Sequence, residues 1–173
     1  MVRPLTSALV VVIALLGSAC EREDNIYQPC EDYDRPTWVD LEVVPNTGLP
    51  QEKIDRFVAA NGMDTTVTES GLIYVISDPG QGERPSASDQ VEVQYRGYFV
   101  DGRVFDSTDR QCRNAQFGVS EVIPAWTEGL QLLAPGGQMW MVVRPALGYG
   151  ASGSRSIPAN EVIVFEVKLV GVQ

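Results

Sequence analysis

The chain has 173 residues, which suits one ordinary globular domain with a short appendage. Its net charge is −10, which argues against nucleic-acid binding because that function requires a basic face. The sequence contains no histidine, so a Ser–His–Asp triad, a Cys–His pair and a histidine-rich metal site are excluded. Any catalytic chemistry must therefore use side chains other than histidine.

The first 19 residues are organised like an export signal. A positive charge at Arg3 precedes an apolar run over residues 8–16. Small residues follow at 17–19. A charged start, a short apolar run and a small-residue site are typical of a secretory signal peptide. The run is too short to span a bilayer comfortably.

Cys20 directly follows these small residues, and this arrangement resembles the lipobox of bacterial lipoproteins. The resemblance implies that Cys20 becomes the first mature residue and carries a lipid. Leu16 lies one position farther from the cysteine than the usual pattern places it. The alternative is ordinary cleavage that releases a free product. We expect a protein exported to the bacterial cell envelope and anchored on the periplasmic side of a membrane.

Residues 20–50 form an acidic segment that contains four prolines. This composition predicts a tether between the lipid and the folded domain. Trp38, Val39 and Leu41 are apolar residues within it that could pack onto the domain.

Two more cysteines, Cys30 and Cys112, remain once Cys20 is assigned to the lipid. In an oxidising compartment they either form a disulfide or stay as separate thiols. A disulfide would connect the N-terminal segment to the main domain.

A short amphipathic helix is predicted over residues 51–61, because Ile54, Phe57 and Val58 recur at helical spacing. Gly62 follows as a stop signal. We expect this helix and the linker to residue 68 to be structural, packing on the domain or on a second subunit.

The pattern becomes strand-like from residue 69 onward. Residues 72–76 form a short apolar run, and residues 91–96 alternate between apolar and polar side chains, as a half-buried strand does. Asp101–Gly102 is a strong hairpin-turn signal. A return strand is therefore predicted from Val104.

A short helix is predicted from Pro124, with apolar residues at i, i+4 and i+7 starting at Trp126. Two alternating strands follow at 139–143 and 162–170. Several strands and one short helix predict an α+β fold, with an antiparallel sheet and the helix on its inner face. Trp140 should face away from the core, as an ordinary exposed aromatic residue or as part of a small partner patch.

Four stretches in this order and spacing resemble the FKBP-type peptidyl-prolyl cis/trans isomerases. They are YRG (95–97) with DGRVFDS (101–107), EVIPAW (121–126) with EGL (128–130), LGYG (147–150), and IP (157–158) with VFEV (164–167). The resemblance covers about residues 69–173, and it implies a twisted antiparallel β-sheet wrapped around one short α-helix. It also implies rotamase activity on X–Pro bonds of exported proteins, with proline-containing polypeptides as clients and macrolide inhibitors as possible ligands.

The resemblance places the active site in an apolar cleft between helix and sheet, with Trp126 beneath the substrate proline. The Ile123 N–H and the Tyr149 hydroxyl are expected to hold the carbonyls of the bound peptide. The implied catalytic residues are Tyr95, Phe105, Asp106, Ile123, Trp126, Tyr149 and Phe165. The implied flanking substrate-binding residues are Phe117, Val122 and Ile157.

Three positions depart from the family pattern. Ala115 stands where a second aromatic residue is frequent, the loop before Ile157 lacks the histidine of some members, and Ala125 replaces a common glycine. The first two favour a narrower substrate preference or weaker macrolide binding. They also motivate the alternative of a binding or chaperone domain without useful catalysis.

The implied reaction rotates a peptide bond against a resonance barrier of about 18–20 kcal/mol. No bond is broken, so the reaction requires no nucleophile, metal or cofactor. The cleft has to bind the twisted amide better than either planar form.

Overall fold

The computed structural model describes Asp34 and residues 36–173. These residues belong to one of two units in the chain, Glu31–Gln173, while the other unit, Met1–Cys30, lies outside the described residues. The predicted signal peptide, Cys20 and Cys30 therefore lie outside them as well. Among the described residues, no helix has the length and apolar character needed to cross a membrane.

Seven antiparallel strands form one sheet. They are β1 (Thr66–Val67), β2 (Ile73–Asp78), β3 (Gln90–Phe99), β4 (Val104–Ser107), β5 (Ala115–Gly118), β6 (Gln138–Val143) and β7 (Ile163–Val172). The strand order is β1-β2-β6-β7-β3-β4, and β5 also pairs with β3. The α+β fold with an antiparallel sheet is confirmed. The short strands β1 and β5 were not predicted, because neither has enough residues to show a clear alternation.

The long strands β3 and β7 lie side by side, and their alternation separates the two faces of the sheet. On β7, Ile163, Phe165, Val167 and Leu169 are all buried in the inner core, as the sequence predicts. The intervening positions, including Val164 and Glu166, face the outer side.

The second helix, α2 (Pro124–Leu130), covers the inner face. Trp126, Leu130 and Leu133 are buried there, as their spacing predicts. At Gly129, an added Cβ would lie 2.5 Å from the Met141 sulfur, so the helix backbone packs directly against β6. A seven-residue helix is marginal by itself, and its stability comes from this packing.

The first helix, α1 (Pro50–Ala60), covers the outer face. It begins at a proline, and the Glu52 carboxylate accepts the Leu49 N–H at 3.0 Å, which satisfies a free donor of the first turn. Ile54 and Phe57 are buried against the sheet, where Phe57 is only 1% exposed. The sheet residues in the same cluster include Tyr98, Val100, Val142 and Val164. Burial of the Phe57 ring stabilises this layer by about 1.5–3 kcal/mol.

Residues 36–44, hereafter the N-terminal strap, also pack on the outer face. The Val44 N–H donates to the Val100 carbonyl at 2.9 Å, and the Val39 N–H donates to the Glu166 carboxylate at 3.1 Å. Part of the predicted tether thus lies against the domain, with Pro36 and Val44 buried and Trp38 and Leu41 half-buried.

Trp140 faces the outer side, as the sequence predicts, but it is not an ordinary exposed aromatic residue, and the partner patch stays a prediction. Its side chain is half-buried, and its Nε1–H donates to the Glu166 carboxylate at 2.9 Å. The strap residues 37–39 lie beside it. The indole is therefore part of the packing between sheet and strap.

Candidate active site

A cleft of about 510 Å³ opens between α2 and the inner face of the sheet. Most of its walls are aromatic or aliphatic. The lining residues are Tyr95, Phe105, Asp106, Ala115, Phe117, Glu121, Val122, Ile123, Trp126, Tyr149 and Phe165.

The floor of the cleft is the indole of Trp126, which is only 4% exposed. The ring centroids of Tyr95 and Phe165 lie 5.1 and 5.2 Å from it, and both rings stand at 90° to its plane. Phe117 adds a third ring at 5.4 Å and 63°. Edge-to-face contacts of this kind contribute about 0.5–1.5 kcal/mol per pair beyond burial. They hold the indole in one orientation.

Phe105 forms the wall beside this floor, and Gly97 makes room for it. The Phe105 and Phe165 centroids are 5.6 Å apart at 88°. A Cβ at Gly97 would lie 2.7 Å from atoms of both rings. The glycine of the YRG motif is therefore required by the close approach of two aromatic rings to the β3 backbone.

The polar groups of the cleft centre on Asp106. The Tyr95 hydroxyl donates to Asp106 Oδ2 at 2.6 Å. Burial, followed by this hydrogen bond, raises the pKa of the Tyr95 hydroxyl. Burial and the nearby negative charge of Asp106 also raise the pKa of Tyr149. Both phenols stay protonated at neutral pH and remain hydrogen-bond donors.

Ile123 stands at the entrance to α2, as the residue before Pro124. Its carbonyl accepts the N–H groups of Trp126 and Thr127 at 2.9 and 3.1 Å. Within the part of the chain that the structure describes, its own N–H donates to no other backbone carbonyl. This donor is on a residue that lines the cleft.

The structure brings together all the predicted catalytic and substrate-binding residues except Ile157. Ile157 is buried in the inner core, and its bridge to Ser154 shapes the loop before β7; it is not among the residues that line the cleft. Sequence reasoning missed Glu121 as a lining residue. Its carboxylate accepts the Gly118 N–H at 3.0 Å, a local contact that the three-residue spacing could have suggested.

Cys112 is disulfide-bonded. The other two cysteines of the chain, Cys20 and Cys30, both lie outside the described residues. The pairing of Cys30 with Cys112 therefore stays a prediction.

The cleft combines an aromatic floor with hydroxyl and amide donors near its rim, a lining that suits a small apolar group. The model of the family described as FKBP-type peptidyl-prolyl cis-trans isomerase matches residues 81–170. The chain belongs to this family.

Relatives and solved structures agree with this assignment. A probable FKBP-type peptidyl-prolyl cis-trans isomerase of Haemophilus influenzae is 41% identical over 125 residues, which cover 70% of this chain and 52% of that protein. The outer membrane protein MIP of Legionella longbeachae is 46% identical over 125 residues, covering 70% and 53%. The crystal structure of FkpA from Escherichia coli has a TM-score of 0.67 at 36% identity, covering 72% and 57%. The chain spans about half the length of the curated relatives it matches.

Proposed function

We propose that this chain is a peptidyl-prolyl cis/trans isomerase that accelerates rotation of X–Pro bonds in exported polypeptides. The observation that carries the proposal is the meeting of Tyr95, Asp106, Trp126 and Tyr149 in one aromatic cleft, although they come from distant parts of the chain.

The proline ring of the substrate lies on the Trp126 indole, between the walls formed by Tyr95 and Phe165. A planar amide is more polar than a twisted one, because resonance places negative charge on its oxygen and positive charge on its nitrogen. An apolar cleft solvates the planar form poorly compared with water. Binding therefore favours the twisted amide, which is the condition for catalysis.

Hydrogen bonds at the rim keep the peptide in a bent pose around the proline. The Ile123 N–H and the Tyr149 hydroxyl donate to carbonyls of the bound chain. Asp106 keeps Tyr95 fixed through the 2.6 Å hydrogen bond, so the edge of that ring stays against Trp126. Pre-oriented donors and walls lower the barrier without any change of covalent bonds.

The test is an isomerisation assay on the full chain with a short X–Pro peptide. We expect acceleration over the uncatalysed rate, and a drop of roughly tenfold or more in kcat/KM for Phe105→Ala, because the variant removes one wall of the cleft. Val67→Ala, an exposed substitution on β1, is the matched control and should keep the wild-type rate. Inhibition by a macrolide would extend the proposal to that ligand class.

A second candidate function is a binding or chaperone domain. Ala115 lines the cleft where the family frequently has an aromatic residue, so this wall is less filled. This function predicts that Tyr149→Phe and Phe105→Ala variants still suppress client aggregation. Loss of that suppression in both variants would argue against it.

We also propose that the chain is exported and anchored to a membrane through a lipid on Cys20. A Cys30–Cys112 disulfide would connect its N-terminal segment to the main domain. The signal-like N-terminus and the disulfide-bonded state of Cys112 support this, since disulfides persist in oxidising compartments. Mass spectrometry of the mature protein tests it. The expected product begins at a lipidated Cys20, whereas Cys20→Ser should stay unlipidated.

A further inference from the structure

The loop at residues 108–114 connects two walls of the cleft. It leaves β4, which supplies Phe105 and Asp106, and it leads into β5, which supplies Ala115 and Phe117. The loop therefore lies directly between these two walls.

The inner side of the loop is fixed to β3 by Thr108. Its hydroxyl accepts the Tyr95 N–H at 3.0 Å and donates to the Tyr95 carbonyl at 3.2 Å. Thr108 is buried, so these bonds are shielded from water. They connect the start of the loop to a residue of the cleft itself.

The outer side of the loop is fixed by Asp109, which is only 7% exposed. Its Oδ2 accepts the Trp38 Nε1–H at 2.8 Å and lies 3.6 Å from an Arg96 nitrogen. The Arg96 guanidinium also lies 5.5 Å from the Trp38 ring centroid. Asp109 Oδ1 is buried without a partner among the described residues. The Trp38 indole therefore donates the shortest polar contact that Asp109 makes, and Arg96 is the other partner of this carboxylate among the described residues.

A buried carboxylate that loses a hydrogen-bond donor has to seek water or another donor. Without Trp38, Asp109 keeps the Arg96 nitrogen at 3.6 Å as its partner among the described residues, so one hold on the loop weakens. The donor belongs to the N-terminal strap, 71 residues away in sequence. The strap thus contacts the loop that joins the two walls of the cleft.

We propose that Trp38 is a positioning residue for substrate binding, because it holds Asp109 and through it the loop at residues 108–114. This inference rests on the proposed isomerase function. It assigns a role in the site to a segment outside the matched family region, residues 81–170.

The experiment compares Trp38→Phe with Trp140→Phe in the full chain. Each substitution removes one indole N–H from a buried carboxylate on the outer face and leaves a ring in place, but Trp140 donates to Glu166, which lies on β7. We expect Trp38→Phe alone to speed amide hydrogen exchange in the loop by roughly tenfold. It should also raise KM for an X–Pro tetrapeptide by roughly fivefold, with kcat changed less than twofold.

A merely structural role would lower the stability of both variants and leave both KM values alike. Equal KM values overturn the proposal. Faster exchange in the loop with an unchanged KM overturns it too, as does a raised KM without faster exchange.

A double-mutant cycle adds a second readout. In an Asp109→Ala background, Trp38→Phe should have no further effect on KM, because its partner is already gone, and Trp140→Phe should leave KM unchanged in either background. Additive effects of the Trp38 and Asp109 substitutions contradict the proposal.

Failure of the proposed function can be separated from failure of this inference. If the wild-type chain binds the tetrapeptide without accelerating its isomerisation, the proposed function is wrong. The dissociation constant from titration calorimetry then replaces KM as the deciding quantity. A wild-type chain that binds no X–Pro peptide overturns both.

Discussion

The two faces of the sheet use the same alternation of side chains for different purposes. On the inner face, aromatic rings stand on edge around Trp126 and leave a cleft of about 510 Å³. On the outer face, α1 and the N-terminal strap cover the strands, and a cavity of about 160 Å³ remains beside Glu166. The strands that carry the cleft are therefore covered on their outer side by α1 and the strap.

The charged groups differ in the same way. The inner face places Asp106 at an open cleft, where it accepts one phenol. The outer face buries Glu166 under the Trp140 indole and the Val39 amide, and it pairs Lys53 with Glu161 at 2.7 Å. Asp106 therefore borders a cleft that is open to a ligand, whereas Glu166 connects the strap to the strands of the sheet.

The largest effect should come from Phe57→Ala on the outer face. The substitution leaves a cavity under α1, and it should lower the free energy of unfolding by about 3–5 kcal/mol. The activity per folded molecule should stay near wild type, because the Phe57 ring packs on the outer face of the sheet, whereas the cleft lies on the inner face. Denaturant unfolding and the isomerase assay on the same sample check this. Leu49→Ala, at an exposed site, should change neither quantity.

The next effect concerns the disulfide of Cys112. Under oxidising conditions, Cys112→Ser should lower the free energy of unfolding by about 2–4 kcal/mol, because the cross-link restricts the unfolded chain. If Cys30 and Cys112 pair, Cys30→Ser should lower the free energy of unfolding by the same amount. The Cys30→Ser/Cys112→Ser double variant should then lose no more than either single variant. Wild type and variants should converge after reduction. A wild-type-like stability of Cys30→Ser would assign the bond to another cysteine.

Gly97→Ala on the inner face should lower stability by about 1–3 kcal/mol, because its Cβ meets the Phe105 and Phe165 rings at 2.7 Å. Unlike Phe57→Ala, it should also lower kcat/KM of the folded protein, since both rings line the cleft. Gly171→Ala is the matched control on β7, where an added Cβ meets nothing within 4 Å. An unchanged kcat/KM for Gly97→Ala would remove the link between ring placement and activity.

The smallest effect concerns the protonation of Glu166. Burial raises the pKa of this carboxyl above its ordinary value of 4.5, against the opposing effects of the Val39 amide, Arg96 and Trp140. The folded protein therefore binds this proton more tightly than the unfolded chain. Stability from this group is fully present below about pH 4.5 and is lost as the pH rises through the raised pKa.

Glu166→Gln removes the titrating carboxyl and keeps an oxygen that can accept the Val39 N–H and the Trp140 Nε1–H. The variant and the wild type should differ less at pH 4 than at pH 7, where the variant gains stability relative to the wild type. Unfolding midpoints measured across this range check the sign. A relative gain by the wild type on going to pH 7 would show that the carboxylate is better satisfied than its burial indicates.

The inner face could largely be predicted from the sequence, and so could the helix α1 on the outer face, whereas the partners of the strap residues could not. The spacing of Trp126, Leu130 and Leu133 and the motifs around Phe105 and Tyr149 predicted the helix and most of the cleft. Periodicity predicted the helix because helix and strand periods are short, whereas the cleft residues were implied by the resemblance to the FKBP-type isomerases. Ile157 was the exception, since its motif does not determine which way the side chain turns.

The outer contacts join residues that are distant in sequence. Trp38 meets Asp109 across 71 positions and Trp140 meets Glu166 across 26, and no local pattern marks either pair. An acidic, proline-containing stretch favours a tether on composition alone. The structure shows that Trp38 and Val39 of this stretch donate hydrogen bonds to the buried carboxylates of Asp109 and Glu166.

The central claim is that the Trp126 cleft accelerates rotation about X–Pro bonds, and two-dimensional NMR exchange on a short X–Pro peptide tests it most directly. With a small amount of the full chain present, we predict exchange cross-peaks between the cis and trans proline resonances, and their loss with Trp126→Leu at equal folded concentration. Cross-peaks that are absent with the wild type, or equally strong with the variant, would contradict the claim.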